Sequence, residues 1–358
     1  MKILDLSRVL AGPLASMILA DLGADVIKIE RPGSGDETRG WGPPFDDRGE
    51  SAYFLAVNRN KMSVAADLTR PADRALLERL IAEADVVLEN FRPGTLERHG
   101  LGPAAMLAAH PRLVWCTITG FGLHSPRPGY DYVVQAESGW MAITGEADGA
   151  PMKVGVALAD VLAGKDAAIA ILAALAGGRR GERHLAVSLL HSATAALVNV
   201  AQNALVTGRE AKRWGNAHPN LVPYQCFDAA DRPLVIAVGS DPQWLACAQA
   251  LELADLAADP ELATNAGRLA RREAVVAAIA QAVATRPAAE WMRVLEAAGV
   301  PCGVVKPVLE ALREVDASPI TGVAPQAPGT VRRAPPRLDE HGTLVRAKGW
   351  ASFAVTAL

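Results

Sequence analysis

The chain has 358 residues, half of them hydrophobic and 21% charged, with 36 Lys and Arg against 39 Asp and Glu. That balance excludes a disordered segment, and a formal charge of −3 excludes a strongly basic surface built for nucleic acid. No stretch reaches the ~18 charge-free apolar residues of a membrane span, and no leader-like apolar run opens the chain, so a cytoplasmic protein without membrane attachment is expected.

A prior of ~150 residues per domain points to two domains. Residues 3–6 read as a strand. A helix over 14–22 follows, with Pro13 suited to its first turn and Gly23 to its end, and then a strand over 25–30. Strand, helix and strand at this spacing make a βαβ unit with parallel strands. The pattern repeats with a strand at 62–68, a helix at 71–84, a strand at 85–91, a helix at 95–109 and a strand at 113–119. An alanine-rich helix at 159–176 and a strand and helix at 184–190 and 192–206 complete a doubly wound α/β sheet. Turn-rich sequence at 215–223 marks the exit from this domain. Beyond it, a strand at 234–238, helices at 243–253, 268–285 and 288–298, and a strand at 302–306 form a smaller α+β domain. The proline-rich stretch 319–336 reads as irregular, and 338–358 shows no clear period. The expected boundaries are 1–210 for the large domain, 211–225 for a linker, 226–312 for the small domain and 313–358 for a C-terminal segment.

Ligands of parallel α/β sheets sit at the carboxyl ends of the strands. The loop after the first strand, 8–13, lacks G-x-G-x-x-G, and Gly33-Ser34-Gly35 opens no evident helix, so a dinucleotide site is not expected. There is no Walker-type loop, no H-E-x-x-H and no nucleophile elbow. Arg31, Arg92 and Arg98 follow strand ends, where guanidinium groups suit a phosphate-bearing ligand, although a solvated surface charge is the plain alternative for each. Asp160 stands among apolar and small neighbours at the head of the alanine-rich helix. It reads either as an N-cap or as a carboxylate nucleophile or general base. Asp131 is a second active-site carboxylate or a turn residue, and Gly239 either lets backbone close over a ligand or simply turns the chain. The seven histidines form no constellation. The four cysteines, far apart, read as small buried hydrophobes, and no metal site is expected.

The segments ILDLSRVLAGP, LADLGADVIKIERPGSGDETR, NRNKMS, ADVVLENFRPGTLERHGLG, GYDYVVQAESGWMAITGEADGAPMKVGVALAD, GNAHPNLVPYQ and AGVPCG resemble, in order and over nearly the whole chain, the class III CoA-transferases. That family includes formyl-CoA and carnitine CoA-transferases, with α-methylacyl-CoA racemase as a relative. The resemblance implies a Rossmann-like large domain and a small domain, with a C-terminal segment returning to the large one, in an interlocked homodimer. It implies a CoA thioester as substrate with no permanently bound cofactor, an acyl-CoA donor and a carboxylic acid acceptor. Asp160 matches the family nucleophile, with Asp131 beside it and Gly239 on a glycine turn over the site. Leu10, Ala11, Arg31, Ala66, Leu68, Asn90, Phe91, Arg92, Arg98 and Tyr130 match CoA-binding or neighbouring positions. The implied chemistry passes through an acyl-aspartyl anhydride and an aspartyl-CoA thioester.

Departures from the pattern qualify the specificity. Leu10 replaces a substrate-touching glutamine of formyl-CoA transferase, which speaks against formyl or oxalyl substrates. Pro128 replaces a CoA-contacting lysine, with Arg127 as the neighbouring cation. The region before Pro336 is shorter than the family pattern. The alternatives are a 2-methylacyl-CoA racemase, disfavoured because Tyr130 stands where relatives place a histidine base, and an inactive CoA-binding paralogue.

Overall fold

The computed structural model describes residues 1–178 and 181–355. It divides into two units, one of Met1–Ala142, Met152–Ala211 and Val315–Leu358, the other of Ile143–Pro151 and Lys212–Glu314. The first holds a six-stranded parallel sheet of β1 (Lys2–Asp5), β2 (Asp25–Glu30), β3 (Lys61–Ala65), β4 (Val86–Glu89), β5 (Val114–Thr119) and β6 (His184–Ser188). Their order is β3-β2-β1-β4-β5-β6, the doubly wound Rossmann-like arrangement. Ile3 lies opposite Val26 on one side and Val86 on the other, so β1 is central. Strands covered on both faces need near-continuous apolar runs, which Val86–Leu88 and Val114–Ile118 supply. The order reverses between β1 and β4, which opens a crevice at their carboxyl ends.

One face of the sheet is covered by the helices Ala11–Asp21 and Leu158–Ala176. Ala11, Ala15, Ala159, Ala163 and Ala167 are all buried there, and a Cβ on Gly164 would fall 2.7 Å from the Ala11 carbonyl oxygen. Small side chains thus bring the two backbones together, and the head of the long helix comes to rest beside the loop after β1. On the other face, Leu76, Leu77, Leu80 and Ile81 pack with Trp115 and with Val345, Trp350 and Phe353 of the C-terminal segment.

Three readings change in the structure. The expected helix at 95–109 is a 3₁₀ turn, Glu97–His99, and a helix, Pro103–Ala109, separated where Gly100 takes φ +74°. The helix at 192–206 is two, Leu189–Ala195 and Val198–Thr207, broken where Val198 takes φ +44°. The apparently aperiodic C-terminal segment contains the helix Gly342–Lys348, and residues 356–358 of that segment lie outside the described residues. Before that helix the segment seals the edge of β3, where the Ala65 N–H donates to Asp339 Oδ1 at 2.8 Å and the His341 N–H to the Ser63 carbonyl at 3.0 Å. Of the four cysteines, Cys116 and Cys247 are buried as expected, whereas Cys226 and Cys302 are half-buried, and all are free thiols.

The second unit carries a three-stranded antiparallel sheet of β7 (Tyr224–Asp228), β8 (Pro233–Ala237) and β9 (Cys302–Val304). Trp244 and Trp291, from the helices Asp241–Ala250 and Ala288–Ala297, fill its core with Val275 and Ile279. Strand β7 had no sequence signal because it follows directly on the turn-rich stretch and alternates only weakly.

Candidate active site

A cavity of about 430 Å³ opens in the first unit at the carboxyl ends of β1, β4 and β5. The loop after β1 contributes Arg8 to Ala11, the loop after β4 contributes Asn90 to Pro93, and β5 with its following loop contributes Ile118 to Gly120 and Ser125 to Tyr130. Asp160 reaches the wall from the first turn of the long helix, and Leu189 also lines it. Arg8, Arg92 and Arg127 give the cavity its cations and Glu37 and Asp160 its anions. Arg8 pairs with Glu37 and lies over the Phe91 ring, and Arg127 pairs with both oxygens of Glu137 and lies over Phe121.

Asp160 is not the N-cap of its helix. That position belongs to Ala157, which has no capping side chain, and Asp160 lies inside the first turn. Among the described residues its carboxylate accepts no hydrogen bond. Burial and, second, the neighbouring charge of Asp131 push its pKa up to about 7. The partial positive charge of the helix N-terminus opposes them.

Asp131 is neither a cavity-lining group nor a simple turn residue. It begins the helix Asp131–Glu137, and its Oδ1 accepts the Ala159 N–H at 2.7 Å, supplying the cap that the long helix lacks. Its Oδ2 accepts from Gln135 Nε2 at 2.7 Å, and Gln135 Oε1 accepts the Val154 N–H at 2.8 Å. Gln135 is fully buried, so the segment leading into the Asp160 helix is held by side chains satisfied at both ends.

Beneath the cavity floor the sheet holds buried charge. Asp5, Lys28 and Lys61 have no exposed surface. Lys61 Nζ donates to Asn58 Oδ1 at 2.9 Å and the Pro13 carbonyl at 2.8 Å and pairs with Asp5 at 3.2 Å. The Asp5 carboxyl is itself buried, which alone would raise it, but Lys61, Lys28, Ser16 and Ser7 together bring it down to about 2. Around β2, Arg39 forks onto both oxygens of Glu30 at 2.8 Å and reaches Glu50 at 2.7 Å.

The cavity therefore brings together seven of the residues singled out from sequence: Leu10, Ala11, Asn90, Phe91, Arg92, Tyr130 and Asp160. Arg31, Ala66, Leu68 and Arg98 do not line it. Arg31 is exposed just past β2, Ala66 and Leu68 follow β3, and Arg98 is exposed on the 3₁₀ turn. Gly239 lies in the second unit after β8, and its N–H donates to Gln243 Oε1 at 2.9 Å. Two aromatic side chains were missed. Tyr53 stands edge-on to Trp41 with ring centroids 5.1 Å apart, and burial followed by the charges of Asp160 and Asp131 raises its pKa, which places it near both carboxylates.

Residues 1–346 match the family CoA-transferase family III. The chain belongs to CoA-transferase family III. A succinate–glutarate CoA-transferase of Agrobacterium fabrum is 40% identical over 97% of this chain and 94% of its own. A succinyl-CoA:glutarate CoA-transferase of Mus musculus is 43% identical over 87% of this chain and 73% of its own. Among solved structures, a CaiB/BaiF family protein from Brucella suis superposes with a TM-score of 0.85 at 38% identity, covering 97% of each chain. This family III chain is thus a CoA-transferase, and CoA thioesters are its substrates. No single helix among its described residues is long and apolar enough to cross a membrane.

Proposed function

We propose that the enzyme moves CoA from succinyl-CoA or a similar short diacyl donor to a C4–C5 dicarboxylic acid, through covalent intermediates on Asp160. The observation that carries this reading is the Asp160 carboxylate itself, facing a cationic cavity with no hydrogen bond to quench it and with burial making it a stronger nucleophile. The names of the similar enzymes support the choice of substrate class.

In the first step an Asp160 oxygen attacks the donor thioester carbon. The C–S bond breaks, CoA leaves as a thiolate, and an acyl-aspartyl anhydride remains. The thiolate then attacks the Asp160 carbonyl carbon, freeing the donor acid and leaving an aspartyl-CoA thioester. A carboxylate of the acceptor attacks that thioester and again expels the thiolate. The thiolate attacks the acceptor carbonyl of the second anhydride, which releases the new acyl-CoA and restores the Asp160 carboxylate. Each thioester bond broken is matched by one formed, so the energy of the donor is conserved. Arg92, with Asn90 and Phe91 beside it, is assigned to hold CoA at the mouth, and Arg31 and Arg98 to the phosphates beyond it. Leu10 and Leu189 are assigned to the aliphatic part of the acyl chain.

The active species is proposed to be a homodimer. Val198, Leu205 and Val206 are exposed on one short helix and Ile169 on the long one, apolar surface that a second copy would cover.

Turnover with glutarate carrying ¹⁸O in its carboxylates tests the mechanism, because the bridging oxygen of the second anhydride stays with Asp160. Heavy isotope in the Asp160 peptide is the expected result. Continued turnover with no label in that peptide would contradict the covalent route. A rate comparison across mono- and dicarboxylic acceptors tests the substrate class, with acetate expected to be the poorer acceptor by tenfold or more.

A further inference from the structure

The loop after β1 contains a conformation that its sequence does not favour. Val9 takes φ +71°, in the left-handed region where a β-branched side chain is out of place. Such strain persists only where the surroundings over-determine it. Here each residue of the turn is held by a separate side chain. Ser7 donates its N–H to Asp5 Oδ1 at 2.9 Å, and its carbonyl accepts from Lys28 Nζ at 2.8 Å. Arg8 is held from both ends by Asn90, whose Oδ1 accepts the Arg8 N–H at 2.9 Å while its Nδ2 donates to the Arg8 carbonyl at 2.8 Å. The strained residue itself donates its N–H to Asp36, 3.2 Å from each carboxylate oxygen. Asp36 is buried, pairs with the fully buried Lys28 at 3.0 Å and receives the Thr38 N–H at 3.1 Å.

These holders come from the ends of β1 and β4, from β2 and from the turn after it, and the three residues following Arg8 all line the cavity that Asp160 faces. The helix behind the turn leaves no room for drift, because a Cβ on Gly12 would fall 2.3 Å from the Ser7 side chain. A strained turn gripped this fully at the sheet's switch point suits a wall whose backbone must be fixed before substrate arrives.

We propose that Asp36 is a positioning residue for CoA transfer, acting through the Val9 N–H to hold the β1 turn in its left-handed conformation beside Asp160. The proposal rests on the reading that transfer takes place in the Asp160 cavity. It accounts for a buried acidic residue that does not itself line the cavity, although its neighbour Glu37 does. It also assigns Val9 a role through its backbone alone, so the side chain there is dispensable.

The test is a rescue. Asp36→Asn keeps the size of the side chain but weakens the charge-assisted bond, so the turn relaxes toward negative φ. A fall in kcat/KM of about tenfold is expected, carried mainly by kcat. Adding Val9→Gly gives the turn a residue that holds positive φ without strain, and the double variant is expected to return to within about threefold of wild type. Its melting temperature should stay near that of Asp36→Asn, because the Lys28 pair remains weakened. A double variant no faster than Asp36→Asn overturns the proposal, as does an Asp36→Asn enzyme with wild-type kcat/KM. Should Asp36→Asn not fold, Val9→Pro replaces it, since proline can neither take positive φ nor offer an N–H; a folded Val9→Pro protein of full activity overturns the proposal equally. Asp160→Asn, run in parallel, keeps the two readings apart. An active Asp160→Asn removes the site, whereas an inactive one beside a failed rescue removes only the role of Asp36.

Discussion

Asp131 accepts the backbone N–H of Ala159 at 2.7 Å, so one carboxylate holds the turn of helix that presents the other, Asp160. The arrangement both fixes Asp160 and raises its proton affinity, because the holding group is itself negative. Asp131→Asn keeps an oxygen for the Ala159 N–H and removes the charge. The acid limb of the kcat/KM profile, expected near pH 7 in the wild-type enzyme, should then move to lower pH. Asp131→Ala also loses the cap and should unfold more easily by about 1 kcal/mol. Steady-state pH profiles and denaturant titrations of the two variants check both expectations.

Asp160→Asn separates catalysis from stability. CoA transfer should fall by roughly a thousandfold or more, since the proposed covalent route loses its nucleophile. The folded protein should become more stable. A carboxyl whose pKa rises from 3.8 to about 7 on folding binds its proton more tightly in the folded state, so stability drains away as pH rises between those values. Above pH 7 the wild type carries the full penalty, roughly 2–4 kcal/mol once solvent at the cavity is allowed for, and the asparagine carries none. The difference in melting temperature between the two proteins should be near zero at pH 4 and largest at pH 8.

Arg92 should act on binding. It lies exposed in the cavity mouth beside Asn90 and Phe91, and a charge-assisted bond to a phosphate is lost on truncation. Arg92→Ala should raise KM for the acyl-CoA about tenfold while kcat changes less than threefold. The KM of the acceptor acid should not move.

The buried charges of the sheet set the acid limit of the fold. Asp5 has its pKa lowered to about 2, so its contribution is present in full above the unfolded value near 4 and is lost as pH falls toward 2. That contribution is about 2 kcal/mol. Asp5→Asn should therefore remove stability at pH 7 and make little difference at pH 2. Breaking the pair also leaves Lys61 buried without its partner, and burial, which already holds its pKa down to about 8, then pushes it lower still.

Much of this was legible in the residues. The βαβ rhythm of the first unit follows from short apolar strands separated by helices with proline near their starts and glycine at their ends. Asp160 stood out as a carboxylate with no polar company at the head of an alanine-rich helix. Asp131 was singled out as well, but its capping role was not, because it lies 28 residues before Ala159 and reaches it only once both helices are packed. The buried lysines were hidden for a similar reason. Lys28 in DVIKIE looks like the solvent face of a strand, and its burial is tolerable because Ser7 and Asp36, from two different loops, bind its ammonium and the charges of Asp5 and Glu30 lie near it. Tyr53 comes near the carboxylates, with Trp41 against its ring, through short elements after β2 that carry no period. Past Pro336, side chains pack on β3, on the Leu80 carbonyl and on the Leu76, Leu77 and Trp115 side of the sheet at once, so no single helical or strand rhythm records their contacts.

The proposed covalent role of Asp160 is tested most directly by trapping it. The enzyme is mixed with succinyl-CoA alone, quenched into hydroxylamine, digested and examined by mass spectrometry, with Asp160→Asn alongside. The account predicts a hydroxamate on the peptide spanning Asp160 in the wild type and none in the variant. An unmodified Asp160 peptide from an enzyme that transfers CoA at full rate would contradict it.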